Sequence, residues 1–396
     1  MLKKSVKIAF ILLVFQMFSY LALVGLGDLA YPDVLFCHQG EMPAERGIFS
    51  LAGEDALPAS AGTGGVLRQN KTVLALGFLP VKTVQVQAYP KTEVVVGGEL
   101  FGVRLRSRGL LVTALGEVET ASGSRSPALE AGLKKGDLLL TADGVTLSTA
   151  AELSKVLAKS EGRAVTLALE REGKPLSLSL TPVSAADEGG YRAGIWVRDG
   201  AAGIGTVTFR DPVTGVFGGL GHGVCDGDTG LIFPLKDGDV APARVIGIRK
   251  GENGAPGELR GRLEEDDLGD VLSNTSCGIF GKCAPLPDAV TVPLGFREEV
   301  TVGDATILCT LTDGEKREYA VRIEEIPNPR GGDKNMVICV TDPALLAQTG
   351  GIVQGKSGSP ILQNGKLVGA VTHVLVGDPA RGYGIFIENM LKNMPE

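Results

Sequence analysis

Histidine is scarce in this chain. Its 396 residues hold three, His38, His222 and His373, so any chemistry that needs an imidazole must draw on one of them. The six cysteines contain no CxxC pair, which weakens zinc-ribbon and thioredoxin-like readings. Cys277 and Cys283 are either bridged in an oxidising compartment or free as small apolar residues, and the sequence leaves both readings open. There is no excess of positive charge either. With 39 basic and 46 acidic side chains the formal charge is −7, so the general electrostatic basis for binding nucleic-acid phosphates is missing. Glycine is plentiful, at 56 residues, about twice the usual share of roughly 7%. The length suits two or three folded units with real cores.

Lys3, Lys4 and Lys7 precede an apolar run from Ile8 to Gly27. As a helix, a run of this length spans about 30 Å, enough to cross a bilayer. The flanking lysines keep the N-terminus cytoplasmic and send the remainder outside. Residues 1–27 are therefore read as a transmembrane signal anchor or a signal peptide, and the length of the run favours the anchor. Beyond residue 27 the chain is more acidic still, because the three lysines are lost with no acidic residue beside them.

Residues 28–95 are expected to form a stalk followed by an N-terminal β segment. The Gly-, Ala- and Pro-rich stretch GEDALPASAGTGG reads as flexible, and as a site for cutting. Residues 96–184 show strand, short helix, strand, helix and strand. Within them Ser126-Pro127-Ala128, Ala131-Gly132-Leu133, Gly136-Asp137 and Gly144 resemble a PDZ domain of bacterial exported proteases. That resemblance implies binding of peptide C-termini or extended segments by β-augmentation, with Gly109, Leu110 and Leu111 placed where the carboxylate-holding loop should lie.

Residues 185–396 carry many short β-rich runs between Gly, Asp and Pro turns, and sustained amphipathic helices are absent. This pattern predicts a closed barrel or double barrel. The chain is thus expected to be mainly β: a chymotrypsin-like double β-barrel preceded by a PDZ domain and a transmembrane helix.

The chemistry concentrates in Gly355-Lys356-Ser357-Gly358-Ser359-Pro360, followed by GKLVGAVT. A serine with glycines two before and one after it, on a tight turn, suits nucleophilic catalysis, and the N–H groups of Gly355 and Ser357 can converge as an oxyanion hole. The segment looks like the GxSGGP signature of chymotrypsin-fold serine peptidases, with Ser359 in place of the second glycine. A serine hydroxyl needs a base. His222, in GGLGHGVCDGDTG, lies upstream of Ser357 in the same segment, whereas His38 lies in the expected stalk and His373 on the strand expected to wall the cleft. The sequence therefore selects His222. Spacing alone does not select the carboxylate, since Asp226, Asp228, Asp266, Asp267, Asp304 and Asp342 all qualify.

Taken together, GHGVCDGDTG, VTDPALLAQTGGIVQGKSGSPILQNGKLVGAVTHV and the PDZ stretch resemble the sporulation stage IV B serine peptidases of endospore-forming bacteria. By that resemblance Asp342 is the acidic triad member. Asp342-Pro343 also reads as a helix cap with proline at the first position. The resemblance further implies an exported endopeptidase without cofactor or metal, acting between the forespore and mother-cell membranes. It would cleave itself near the N-terminus and cut a membrane-bound regulator, relieving an intramembrane metalloprotease that activates a late sigma factor. Two rival readings are a non-catalytic PDZ scaffold and a general envelope quality-control protease.

Overall fold

The computed structural model describes residues 2–53, 65–186, 190–312, 314–327 and 333–394. Residues 54–64, the centre of the expected stalk and cutting site, lie outside the described residues.

A single helix, Leu2–Ala30, opens the chain. Its Phe10–Ala30 portion is long and apolar enough to cross a membrane, with a mean hydropathy of 2.1. Large apolar side chains along it, such as Phe10, Leu13, Phe15 and Phe18, are exposed. The described residues of the expected stalk add two strands, Val34–His38 and Phe49–Leu51, to a sheet whose other two strands lie largely in the expected β segment. Val34–His38 lies parallel to the strand Leu79–Tyr89, in register Val34 with Gln85. Leu67–Ala75 and Phe49–Leu51 complete a four-stranded sheet. Tyr31, Leu35, Phe49, Val84 and Val86 form its buried core. The sequence concealed this sheet because the short strands 34–38 and 49–51 are separated by polar and glycine-rich turns and have no apolar period of their own.

After the short strand Glu93–Val96, the strand Leu100–Leu115 has 16 residues, about 53 Å at 3.3 Å per residue, which is long enough to serve two domains. Its first half pairs on one side with 200–206 and on the other with 235–242. From there the ladder continues through Val216–Gly219, Gly278–Cys283 and Gly269–Thr275 and returns to Asp239 and Val240. These pairings close a six-stranded ring. Alternate residues Phe101, Val103 and Leu105 point inward to meet Val207, Phe217, Phe233, Val240, Val271 and Ile279, as a period-2 strand requires.

The second half of the strand enters the PDZ domain. Its core joins Leu110 and Val112 to Leu139, Leu153, Leu157, Val165, Leu167 and Leu169. The helix Ala150–Lys159 starts with a capping box: Thr149 accepts from the Glu152 N–H, and Glu152 Oε2 accepts from the Thr149 N–H at 2.9 Å. Ile195–Arg210 then carries the chain back along Leu100–Leu115 into the barrel. The first barrel strand therefore precedes the PDZ domain in sequence and the second follows it. A boundary at residue 185 cuts through this arrangement.

The placement of Gly109, Leu110 and Leu111 also differs from expectation. They lie within a continuous strand, not a loop. Leu110 and Leu111 pair with Leu139 and Leu138, and the opposite edge is taken by Arg198 and Val197, opposite Leu111 and Val112. Leu110 and Leu111 are buried, and a Cβ on Gly109 would sit 2.5 Å from the Leu139 carbonyl oxygen. This glycine serves close strand packing, so these three residues present no free edge to a peptide.

The second barrel is closed by Gly303–Thr310, Lys316–Glu325, Met336–Val340, Asp378–Phe386, Lys366–Leu375 and Pro360–Gln363, in that order around the ring. Ile307, Val321, Ile323, Ile338, Ile361 and Val371 fill it. All six cysteines are free, so Cys277 and Cys283 are not bridged.

Because Phe101, Val103 and Leu105 belong to the first barrel core, a truncated chain beginning at residue 185 should fail to melt cooperatively by near-UV circular dichroism. A chain beginning at residue 93 should melt cooperatively. Phe101→Ala in the full chain should cost about 3–5 kcal/mol. A cooperative transition from the shorter chain would refute the shared core.

Candidate active site

The turn Gly355–Ser359 lies between the helix Pro343–Thr349 and the strand Pro360–Gln363. Its backbone can be accounted for group by group. The Gln354 carbonyl accepts from Leu259 N–H at 2.8 Å, and the Lys356 carbonyl from Ser359 N–H at 3.0 Å. Lys356 N–H donates to Val353 and Gly358 N–H to Val371. Across the cleft, Thr206 sends its hydroxyl to the Gly355 carbonyl and its N–H to the Ser357 carbonyl, both at 3.0 Å. The Thr208 hydroxyl reaches the Gly358 carbonyl at 2.8 Å.

Two donors remain. Among the described residues, the N–H groups of Gly355 and Ser357 meet no acceptor. In a trans peptide N–H points opposite the preceding carbonyl. The bonds that hold the Gln354 and Lys356 carbonyls therefore also aim these two N–H groups. Gly355 and Gly358 both have φ +95°, in the left-handed region that glycine tolerates. At Gly358 a Cβ would lie 2.0 Å from the Thr206 carbonyl oxygen, so only glycine allows the two barrels to approach this closely.

The His222 loop is built by the same contact. Leu220 and Gly221 have φ +67° and +68°, a left-handed pair that reverses the chain after Val216–Gly219. For Leu220 this conformation is strained; its N–H donates to the Thr206 carbonyl at 3.2 Å. The half-buried His222 follows, with Nδ1 at 2.9 Å from the Gly223 carbonyl oxygen. A carbonyl only accepts, so in the neutral ring Nδ1 carries the proton and Nε2 is left as the acceptor. That is the tautomer a general base needs.

The His373 ring packs on the His222 ring, with centroids 4.8 Å apart and planes tilted by 37°. His373 Nδ1 lies 3.6 Å from Asp333 Oδ2. Burial and the neighbouring His222 charge push the His373 pKa below its ordinary 6.5, against the opposing pull of Asp333. Thr372, the preceding residue, accepts the Ser357 hydroxyl at its carbonyl oxygen, 2.7 Å away. Ser357 is thus bonded to the strand that carries His373, and its hydroxyl is not on His222.

The structure brings His222, His373, Asp333 and Ser357 together around the cleft between the barrels, but it does not bring Asp342 to His222. Asp342 Oδ1 accepts from Ala344 and Leu345 N–H at 2.9 and 3.0 Å, capping the helix Pro343–Thr349, and Oδ2 faces Ala320 N–H. These contacts are the helix cap that Asp342-Pro343 predicts. Asp226 is likewise committed. Its Oδ1 holds the Thr229 turn, and Arg198 lies 3.0 Å from Oδ2. Among the described residues no ion pair joins His222 to a carboxylate. His38 lies apart, with Nε2 3.2 Å from the Leu294 carbonyl oxygen.

Sequence reasoning missed Thr206, Thr208 and Asp333. The two threonines alternate in GTVTF, an ordinary strand pattern, and their role depends on a partner about 150 residues away.

Comparison with known proteins adds two findings. Residues 189–391 match the family described as SpoIVB peptidase S55, and residues 102–181 match a PDZ domain. The PDZ match starts inside the strand shared with the first barrel. Among solved structures, the active form of the Rv3671c protease from M. tuberculosis is 16% identical, with 48% of this chain and 74% of that one covered and a TM-score of 0.30. The HtrA-type protease AlgW with tripeptide is 14% identical, with 48% and 54% covered and a TM-score of 0.30. The PDZ domain of the SdrC-like protein from Listeria monocytogenes is 20% identical, with 23% and 87% covered and a TM-score of 0.19.

A histidine whose folded pKa lies below its unfolded value binds its proton less readily when folded. Stability at this site is complete above about pH 7 and is lost as pH falls through 6.5 toward the lower folded value. Thermal melts of the wild type between pH 8 and 5 should therefore show a steeper acid decline than those of His373→Gln. Identical acid limbs would rule out this role for His373.

Proposed function

The chain belongs to the SpoIVB peptidase S55 family, and from that premise we propose that Ser357 is the nucleophile of this serine peptidase and His222 its general base. The observation that carries the proposal is the pair of unpaired N–H groups, Gly355 and Ser357, on a turn whose other backbone groups are bonded. They are the oxyanion donors of the proposal.

Ser357 Oγ attacks the scissile carbonyl carbon, and its proton passes to His222 Nε2. The carbonyl oxygen, now negatively charged, is held by the two N–H groups. Collapse of this intermediate expels the amine, which takes the proton from His222, and leaves an acyl-enzyme that water hydrolyses by the same route. To begin, the Ser357 hydroxyl must turn from the Thr372 carbonyl toward His222. The acidic member in this proposal is Asp342. Its support is the family resemblance, since in the present geometry its carboxylate caps a helix.

The biological role we propose follows the family. The peptidase is exported and held at the membrane by its N-terminal helix, or released from it. It cleaves itself near the N-terminus and cuts a membrane-bound regulatory protein in a sporulation signalling pathway that acts through an intramembrane protease. The PDZ domain supports peptide binding, and in this proposal it recruits the substrate.

A fluorophosphonate should label the full-length wild type and not Ser357→Ala, and His222→Ala should lower kcat/KM on the order of a thousandfold or more. Asparagine caps helices as well as aspartate does, so Asp342→Asn isolates the charge. We expect it to lower kcat/KM on the order of a hundredfold at unchanged Tm. Unchanged activity would remove Asp342 from the triad, and no labelling of the wild type would sink the peptidase assignment of Ser357.

A further inference from the structure

A cavity of about 620 Å³ lies between the residues that succeed the N-terminal helix and the short C-terminal helix Ile387–Leu391. Arg297, Glu388 and Lys392 line it, together with Asp28, Asp33 and Phe36. Glu388 is 4% exposed. Its Oε1 accepts the Arg297 backbone N–H at 3.2 Å, while Oε2 is buried without a hydrogen-bond partner. The Arg297 guanidinium packs over the Phe386 ring at 5.9 Å. Among the described residues, neither it nor the Lys392 ammonium makes a hydrogen bond or ion pair. The other charges on the wall differ: Lys82 is held by Asp28 and Asp33, and Glu298 by Arg46.

We propose that this cavity binds a phosphate-bearing ligand, with Arg297 and Lys392 supplying charge and donors and the Glu388 carboxyl a further hydrogen bond. The reason is a surplus of donors. A guanidinium and an ammonium have no acceptor capacity, and both line a cavity whose carboxylates Asp28, Asp33 and Glu298 are already held by Lys82 and Arg46. Burial pushes the Glu388 carboxyl up to about 8, so at neutral pH it is an acid whose unpartnered oxygen can donate. An oxyanion is the complement of such a wall, and a tetrahedral phosphate can use donors arriving from several sides. The overall charge of −7 gives no general attraction for anions, so binding must come from these groups.

Two sources fit the same chemistry. The apolar segment Phe10–Ala30 has 21 residues, about the thickness of a hydrocarbon core when helical. With that helix across a bilayer, Asp28 to Phe36 stand at headgroup depth, where phospholipid phosphate is available. Free phosphate from solution is the other source.

The experiment uses full-length Ser357→Ala, so that the chain stays intact and the readout does not depend on peptidase activity. Inorganic phosphate is titrated against chloride of equal ionic strength in maltoside detergent, with binding read by calorimetry and by Tm. Phosphate should bind and raise Tm. Arg297→Gln and Lys392→Gln should each weaken binding about tenfold, as expected for a lost charge-assisted hydrogen bond. Glu388→Gln retains a carbonyl and an N–H donor, and should stay within about threefold. The same titration in phosphatidylglycerol nanodiscs separates the sources: suppressed binding identifies the headgroup as occupant, undiminished binding identifies free phosphate, and either supports the site. The proposal is overturned if phosphate acts no differently from chloride, or if Lys392→Gln, an exposed and structurally mild change, has no effect. It is also overturned if Glu388→Gln abolishes binding while Arg297→Gln strengthens it, since the site would then be one for cations.

Discussion

Thr206 sends its hydroxyl to the Gly355 carbonyl and its N–H to the Ser357 carbonyl, while its own carbonyl accepts from Leu220. One residue of the first barrel thus fixes the serine turn of the second barrel and the start of the His222 loop. Each bond contributes about 1 kcal/mol net, but their geometric consequence is larger. They place a candidate nucleophile and a candidate base, 135 residues apart in sequence by their numbers, on either side of one cleft. Thr206 is 1% exposed and Thr208 fully buried, so water does not compete for these bonds. Glycine at 358 is the condition for the contact, since a Cβ there would overlap the Thr206 carbonyl.

The strand that carries Thr206 begins far from the cleft. Ile195 and Trp196 pair with Leu115 and Ala114 inside the PDZ domain, and Thr206 pairs with Leu100 in the barrel. Register is set in both places, and a slip by one residue would turn every inward side chain outward. Shifts at Trp196/Val197 and Arg198/Gly200 absorb the mismatch between the two halves, as β-bulges do. Arg198 stands at this junction and reaches Asp226, the buried carboxylate that organises the turn after His222. The peptide-binding domain and the His222 loop are therefore joined by backbone and by a charge pair.

Much of the site was legible because the chemistry leaves small residues around reactive ones. GKSGSP and GLGHG could be read directly as candidate turns, and with three histidines the candidates for a base were few. Asp342-Pro343 announced a helix cap, and the structure shows that cap. The features that could not be read depended on closure. Periodicity reports which face of a strand is buried, not which strand lies beside it. Nothing in LFGVRL says that these residues seal a barrel whose other strands lie 100 residues downstream. Gly109 showed the same limit: a glycine between apolar residues fits a loop or a close strand contact equally well. The four-stranded sheet before the barrels was hidden by short strands set among polar turns.

The Ser357 hydroxyl rests on the Thr372 carbonyl at 2.7 Å, and this fixes how far the site stands from reactivity. In the proposal above, that bond is exchanged for one to His222 Nε2, one neutral hydrogen bond of about 1 kcal/mol net for another. In that proposal a substrate carbonyl accepts from the Gly355 and Ser357 N–H groups. The bonds from Leu259, Ser359 and Thr206 that leave the Gly355 and Ser357 N–H groups without acceptors among the described residues are already made in the fold.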